Sequence, residues 1–403
     1  MMLAPFPPRR DGRDGGARNM ARRLELLTRD HEVSLLYLRL PGDPPLEAEL
    51  ERACATVISV DRGSSEETRV FDGGRRGSAK ILWRAWRGSP LWSQALASSA
   101  AQDAASRLVA NFVPEIIQVE YQIMGQFVPA GHDAACMLVI HEPAQCIAEN
   151  FAATRVGLNR LLSLVDRRAW IRFERRIADE SDQVIVFSPE DAAMVQTATP
   201  LEVVPLVVSL PAEPASLANE DPSTVLFVGN YGHQPNVDAA FWLVREIFPR
   251  VRARHAAARL WIVGDNPPPE LVALSSDAVE VTGGVGRVEP WLERAAVFVA
   301  PIRTGGGMRV KVVEALAAGK PVVCTSRAIA GISLVGDEVR VAETAEALAD
   351  ELCALLDAPA DRAELARRAR AWAVRALGGD SDARAHREIY ERLISRAPRR
   401  GGE

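Results

Sequence analysis

Short apolar runs and amphipathic stretches take turns along this chain. His31 to Leu38 (HEVSLLYL), Ala55 to Val60 (ATVISV), Glu115 to Tyr121 (EIIQVEY), Cys136 to Glu142 (CMLVIHE) and Asp182 to Ser188 (DQVIVFS) each have the length of one buried strand. Helical patterns lie between them: Arg18 to Arg29, Ser89 to Asn111, and an Arg-rich stretch from Leu158 to Glu180. Strands that read as near-continuous Val, Ile and Leu, separated by helices, predict a parallel sheet covered on both faces.

Residues Leu210 to Ser223 (LPAEPASLANEDPS) interrupt the alternation with three prolines and small polar residues, the pattern of a linker or exposed crossover. A second series follows. Thr224 to Asn230 (TVLFVGN) predicts a strand, and Asn236 to His255 a helix whose Val237, Phe241, Val244 and Phe248 recur at helical spacing. RLWIVGD, AVEVTGG, AVFVAPI, PVVCTS and EVRVA supply further strands, and Ala360 to Arg396 is helical and polar on one face. The expected fold class is therefore α/β, with two doubly wound Rossmann-like domains in tandem. The expected boundaries are 1–208, 209–375, and a helical tail over 376–403 that packs back on the N-terminal domain. A length of 403 residues agrees with two cores rather than one.

Composition narrows the function classes. A formal charge of -5 gives no basic face for nucleic acid, and no nucleic-acid partner is expected. No apolar run approaches the roughly 20 residues of a membrane helix. The prolines and charges of MMLAPFPPRRDGRDGG are unlike a signal peptide, so a cytoplasmic location is expected. Cys54, Cys136, Cys146, Cys324 and Cys353 show no CxxC spacing, which argues against a disulfide framework or a zinc site. No aspartate pair is placed for a metal, and neither metal nor cofactor is expected. From Arg69 to Trp92, Trp and Arg interleave, which reads either as an amphipathic helix with inward Trp or as weak peripheral contact with anionic lipid at the inner membrane face.

The densest chemistry lies in Ala300 to Thr325, APIRTGGGMRVKVVEALAAGKPVVCT. Gly305, Gly306 and Gly307 let a ligand approach the main chain closely. A helix beginning near Arg309 then turns its free N–H groups toward the same space, a construction for phosphate. Arg309 and Lys311 add positive charge, and Glu314 follows as an acceptor for sugar hydroxyls. Phosphate plus hydroxyls indicates a nucleotide sugar. In open parallel sheets ligands bind beyond the carboxyl ends of the strands. Gly229 with Asn230, Gly264 with Asp265, Gly283 with Gly284, and Arg303 to Gly307 all end strands of the second domain; His141 and Glu142 end one in the first.

Two stretches resemble the donor-binding domain of group 1 (family 4-like) glycosyltransferases with the GT-B fold. They are FVGNYGHQPNVDAAFWLVREIFPRVRARHAAARLWIVGDNPP and VEVTGGVGRVEPWLERAAVFVAPIRTGGGMRVKVVEALAAGKPVV. The likeness is strongest from Val225 to Ser326; the opening LAPFPPRRDGRDGGARNMARRLELLTRDHEVSLLYL and FERRIADESDQVIVFSPED carry it more weakly into the first half. The resemblance implies two Rossmann-like domains facing across a cleft. It also implies transfer of a sugar from a nucleoside diphosphate donor to a saccharide, lipid-linked or small-molecule acceptor, usually with retention, in polysaccharide or glycoconjugate biosynthesis. By the same resemblance Glu314 binds the ribose, and the backbone of Gly307, Met308 and Arg309 lies near the diphosphate and sugar. Gly283, Gly284 and Val285 border the base, and Gly229 and Asn230 line the donor side. His141 faces the donor sugar, while Gly15, Gly16 and Arg18 form a loop approaching donor or acceptor.

Three departures from the family pattern stand out. Gly306 occupies the position, eight before Glu314, where many members carry a first Glu, which assigns the chain to a triple-glycine branch. Asn230 stands where an Arg is common. Arg309 and Lys311 are the candidates to stabilise the leaving diphosphate in their place. Only Met1 to Ala4 remain to build the usual first strand, which is short or truncated. Two alternatives to transfer stay open: a GT-B nucleotide-sugar epimerase, and a non-catalytic nucleotide-sugar-binding member.

Overall fold

The computed structural model describes residues 1–10, 15–39, 43–61, 85, 87–153, 158–204, 208, 210–216, 219–305, 310–334, 337–377 and 381–396. They form two compact units. One comprises Met1–Arg10, Asn19–Pro205 and Asp382–Glu403; the other comprises Asp11–Arg18 and Leu206–Ser381.

The first unit is built on seven parallel strands: β1 (Met2–Ala4), β2 (Ser34–Arg39), β3 (Thr56–Asp61), β4 (Ile116–Glu120), β5 (Ala135–Val139), β6 (Gln183–Val186) and β7 (Leu201–Val203). Their order is β3-β2-β1-β4-β5-β6-β7, so the winding reverses between β1 and β4. β1 is only three residues long, yet it pairs with β2 on one side and β4 on the other and is fully buried. Leu36, Ile117, Val119, Leu138, Val184 and Trp170 share its core. Near-continuous apolar strands are what a sheet covered on both faces requires.

The second unit repeats the plan with six parallel strands: β8 (Asp221–Val228), β9 (Arg259–Val263), β10 (Val279–Gly283), β11 (Ala295–Ala300), β12 (Val322–Cys324) and β13 (Arg340–Val341). The order β10-β9-β8-β11-β12-β13 places its reversal between β8 and β11. In such sheets the crevice beyond the carboxyl ends at the reversal is the general place for a ligand. The helix expected after β8 runs from Gln234 to Arg254 and widens into a π turn over Leu243–Ile247.

The sequence reading is revised at several points. The span from Ser89 to Asn111 is two helices, Leu91–Leu96 and Ser99–Phe112, because Ala97 leaves helical geometry and the Ser98 hydroxyl caps the second by accepting from the Ala101 N–H at 3.2 Å. In the tail the described helical residues are Pro359–Leu377 and Ser381–Arg396. β7 has no counterpart in the sequence reading, since three residues with one apolar neighbour carry no periodic signal. β8 begins at Asp221, inside the stretch read as a linker.

Candidate functional site

The strand tips of the second unit are laced together by backbone hydrogen bonds. Gly229 N–H donates to the Val263 carbonyl at 3.0 Å, and Gly264 N–H donates to Gly283 at 3.2 Å. Gly264 has φ +139, and a Cβ there would lie 1.9 Å from the Gly229 carbonyl oxygen. Only glycine fits that crossing. Asn230 closes the turn after β8, its Oδ1 accepting from the Gly232 N–H at 2.9 Å.

Charge reaches this tip from another element. The Asn236 side chain donates through Nδ2 to the Asn230 carbonyl at 2.7 Å, and its Oδ1 accepts from Lys311 Nζ. Lys311 also lies over the Phe227 ring, 5.5 Å from its centroid. Positive charge, which the sequence lacks at Asn230, is thus brought beside β8 by Lys311 of the helix Val310–Ala317, which follows β11. Sequence reasoning missed Asn236, although its place in the first turn of the helix after the β8 glycine was readable.

Glu314 sits on the same helix, and both of its oxygens are engaged. Arg18 Nε donates to Oε1 at 2.8 Å and Arg18 Nη2 to Oε2 at 2.9 Å, a two-pronged pair with about a quarter of each side chain exposed. Burial pushes the Glu314 carboxyl above its ordinary range, and the Arg18 guanidinium opposes that push. The approach is close because Gly15 lacks a side chain: a Cβ there would lie 2.9 Å from Val310 Cγ2. Gly15, Gly16 and Arg18 open the helix Gly15–Asp30 and, like Glu314, belong to the second unit.

The other expected donor-side residues are spread along the tips. Gly283 has φ +70 at the end of β10, with Gly284 exposed and Val285 half-buried after it. Gly305 has φ +89 beyond β11. Arg303 donates to both oxygens of Asp238, at 3.0 and 2.6 Å, and lies over the Trp242 ring, 4.5 Å from its centroid. Gly306, Gly307, Met308 and Arg309 lie outside the described residues.

In the first unit, His141 follows β5 and sits in a buried constellation. Its Nε2 lies 2.6 Å from Glu120 Oε2, and Glu120 is fully buried. Tyr121 stacks on the imidazole with ring centroids 3.9 Å apart and planes 5° from parallel; Phe187 meets it edge-on at 5.0 Å. Burial alone would raise the Glu120 carboxyl, but the His141 hydrogen bond and the Arg23 charge, at 3.7 Å, hold it below its ordinary value.

A second buried carboxylate, Glu174, accepts from the Ala144 N–H at 2.6 Å and from Gln122 Nε2 at 3.0 Å. Burial pushes it up to about 8; the Ala144 N–H resists this, Asp191 adds to it, and Gln122 resists it. Neither Glu120 nor Glu174 was expected from sequence. The readable signal was a carboxylate ending the apolar strand EIIQVEY, and another on the helical face that carries Trp170 and Ile177. Among the described residues, no group of three or more His, Cys, Asp or Glu could hold a metal ion, and no helix is long and apolar enough to cross a membrane.

Comparison with known proteins bears on the second unit and on the fold. Residues 222–358 match the family model described as glycosyl transferases group 1. No curated protein matches the chain. Among solved structures it is similar to the sucrose-phosphate synthase of Thermosynechococcus elongatus, at 18% identity and TM-score 0.69, over 98% of this chain and 99% of that one. It is also similar to WaaG, a glycosyltransferase involved in lipopolysaccharide biosynthesis, at 16% identity and TM-score 0.65, over 96% and 99% of the two chains. The α,α-trehalose-phosphate synthase of Burkholderia xenovorans, solved with glucose-6-phosphate, is 14% identical with TM-score 0.62, over 98% and 99%. These likenesses establish the GT-B fold. The matched family description is one of transfer and gives no support to the epimerase alternative.

Proposed function

We propose that this chain, a group 1 glycosyltransferase by its residues 222–358 and GT-B in fold throughout, transfers a sugar from a nucleoside diphosphate donor held by its second unit. The observation that carries the proposal is the convergence of Glu314, Arg18 and Lys311 at the reversal between β8 and β11. Glu314 takes the ribose hydroxyls, exchanging part of its hydrogen bonding with Arg18 for bonds to the donor. The Arg18 guanidinium and the Lys311 ammonium then lie close enough to oppose the charge that develops on the leaving diphosphate. Arg309 adds to that charge in the same role. Gly283, Gly284 and Val285 border the base, and Gly305 to Met308 let the backbone approach the phosphates and sugar.

The acceptor is a saccharide, a lipid-linked sugar or a small molecule, taken by the first unit, where His141 contacts a sugar hydroxyl. The reaction retains anomeric configuration and needs no metal. The protein contributes orientation of the two substrates and stabilisation of the leaving group. The product belongs to polysaccharide or glycoconjugate assembly on the cytoplasmic side. Peripheral contact with anionic lipid through Arg69 to Trp92, of which residues 69–84 and 86 lie outside the described residues, would show as co-flotation with phosphatidylserine vesicles.

The test is a thermal-shift screen with UDP, GDP and ADP and their glucose, N-acetylglucosamine and mannose conjugates. A ligand at about 100 times its Kd adds roughly 2.7 kcal/mol to the folded state. One nucleotide class should raise the Tm by several degrees in the wild type and not in Glu314→Ala. No shift with any of them, in a protein that melts cooperatively, would sink the proposal. Product anomers read by NMR decide retention.

A further inference from the structure

The candidate histidine of the first unit is held by a carboxylate that nothing else in the site reading uses. Glu120 is fully buried at the tip of β4, and each of its oxygens has a partner: Oε2 meets His141 Nε2 at 2.6 Å, and Oε1 accepts from Gln118 Nε2. Behind Gln118, the Tyr390 hydroxyl donates to Gln118 Oε1, so the chain of hydrogen bonds runs from the helix Ser381–Arg396 to the imidazole. Arg23, also buried, approaches Glu120 at 3.7 Å and donates to His386 through Nη1, while its Nε and Nη2 have no hydrogen-bond partner. Its link to Glu120 is therefore the field of a buried cation rather than a hydrogen bond, and such a field favours the ionised carboxylate.

An ionised carboxylate can only accept. The proton in the 2.6 Å contact must therefore be on His141 Nε2, and in the neutral ring the lone pair is on Nδ1. The backbone is strained in support of this arrangement: Tyr121, directly after Glu120, is held at φ 63 and ψ 134, a region that non-glycine residues rarely adopt. That strained conformation is the one that lays the Tyr121 ring flat on the imidazole. Stacking fixes the ring plane and the carboxylate fixes which nitrogen faces it. Together they leave one tautomer in one orientation.

We infer that Glu120 is a positioning residue that fixes His141 as its Nε2–H tautomer, so that Nδ1 accepts a hydrogen bond from a hydroxyl of the bound sugar. The Gln118–Tyr390 pair supports it from the C-terminal helix. The inference rests on the proposed transfer only for its last clause; the tautomer is a property of the ligand-free protein.

The test therefore has two readouts. In 15N-labelled ligand-free protein at pH 8, with His141 assigned by comparison with His141→Gln, the wild type should show the Nε2–H tautomer alone. Glu120→Gln, which keeps the shape but lets an amide donate to Nε2, should give a mixture. Turnover of UDP-glucose and GDP-mannose, followed as UDP and GDP release, should fall in kcat by roughly ten- to a hundredfold, the order of loss known for removing the hydrogen-bond partner that orients a metal-bound histidine. KM for the donor should stay within about threefold, because His141 orients rather than anchors. Tyr390→Phe leaves Glu120 and His141 in place and should lower kcat less, in the same direction.

A wild-type Nδ1–H tautomer would overturn the inference. So would a Glu120→Gln protein that is folded, keeps the pure Nε2–H form and turns over at the wild-type rate. A protein with the expected tautomer behaviour but no turnover of any nucleotide sugar would sink the transfer reading and the hydroxyl contact while leaving the positioning of His141 established.

Discussion

Arg18 closes on Glu314 through two parallel hydrogen bonds of 2.8 and 2.9 Å, so the carboxylate expected to take a ribose is already paired with a guanidinium. The pair tunes the site: burial lifts the Glu314 carboxyl and the Arg18 charge draws it back. Removing Arg18 takes away the larger of the charges that oppose the burial, leaving the weaker pull of Lys311. Glu314 then stays protonated to a higher pH, and a protonated carboxyl is the poorer acceptor for two hydroxyls. In Arg18→Ala, nucleotide affinity measured by calorimetry should weaken as pH falls, with its midpoint at higher pH than in the wild type. Superimposable pH profiles would show that Arg18 does not govern Glu314.

Asn236 joins two things that sequence separates, the turn after β8 and the Lys311 ammonium. Asn236→Ala takes one acceptor from the half-buried Lys311 ammonium and one donor from the Asn230 carbonyl. The expected cost is roughly 1–3 kcal/mol, with weaker binding of UDP, GDP or ADP, whichever the wild type prefers. Chemical denaturation and the same calorimetry would register both effects. A stable variant with wild-type affinity would remove Asn236 from the site.

Gly264 crosses Gly229 so closely that a methyl group would overlap the carbonyl. Gly264→Ala should cost roughly 3 kcal/mol or more through strain and forced displacement of the β8 tip. Gly286, around which a Cβ would meet nothing within 4 Å, is the control; Gly286→Ala should change stability by no more than about 0.5 kcal/mol. Equal melting temperatures for the two variants would contradict the crossing.

Glu174 makes stability depend on pH. Its carboxyl rises from 4.5 in the unfolded chain to about 8 in the folded protein, so between those values the folded state holds the extra proton. The contribution is fully present below 4.5 and is lost as pH rises through about 8. Glu174→Gln carries the neutral form at every pH. The fall in urea midpoint from pH 5 to pH 8.5 should be shallower in the variant, and parallel curves would count against the assignment.

Much of this was legible in the sequence because burial on both faces of a parallel sheet leaves an unmistakable apolar run. The main runs located β2, β4, β5, β6, β8, β9 and β11, and glycines marked the carboxyl ends of β8 and β9. The break at Ser98 was not legible, since a serine inside an alanine-rich helical pattern looks the same whether it caps a helix or faces solvent. Nor was β7, which is too short for any period to declare itself.

By itself the chain determined the class of the fold, the order of its elements and the residue types gathered near the glycine loop, because these depend on local period and on composition. The tertiary structure decided the partners. That Arg18 belongs to Glu314, Lys311 to Asn236, and His141 to Glu120 follows from contacts between residues 296, 75 and 21 positions apart. No local pattern encodes such pairs. They exist because the winding of each sheet brings distant strand ends to one edge, where burial makes an unpaired charge too costly to leave alone.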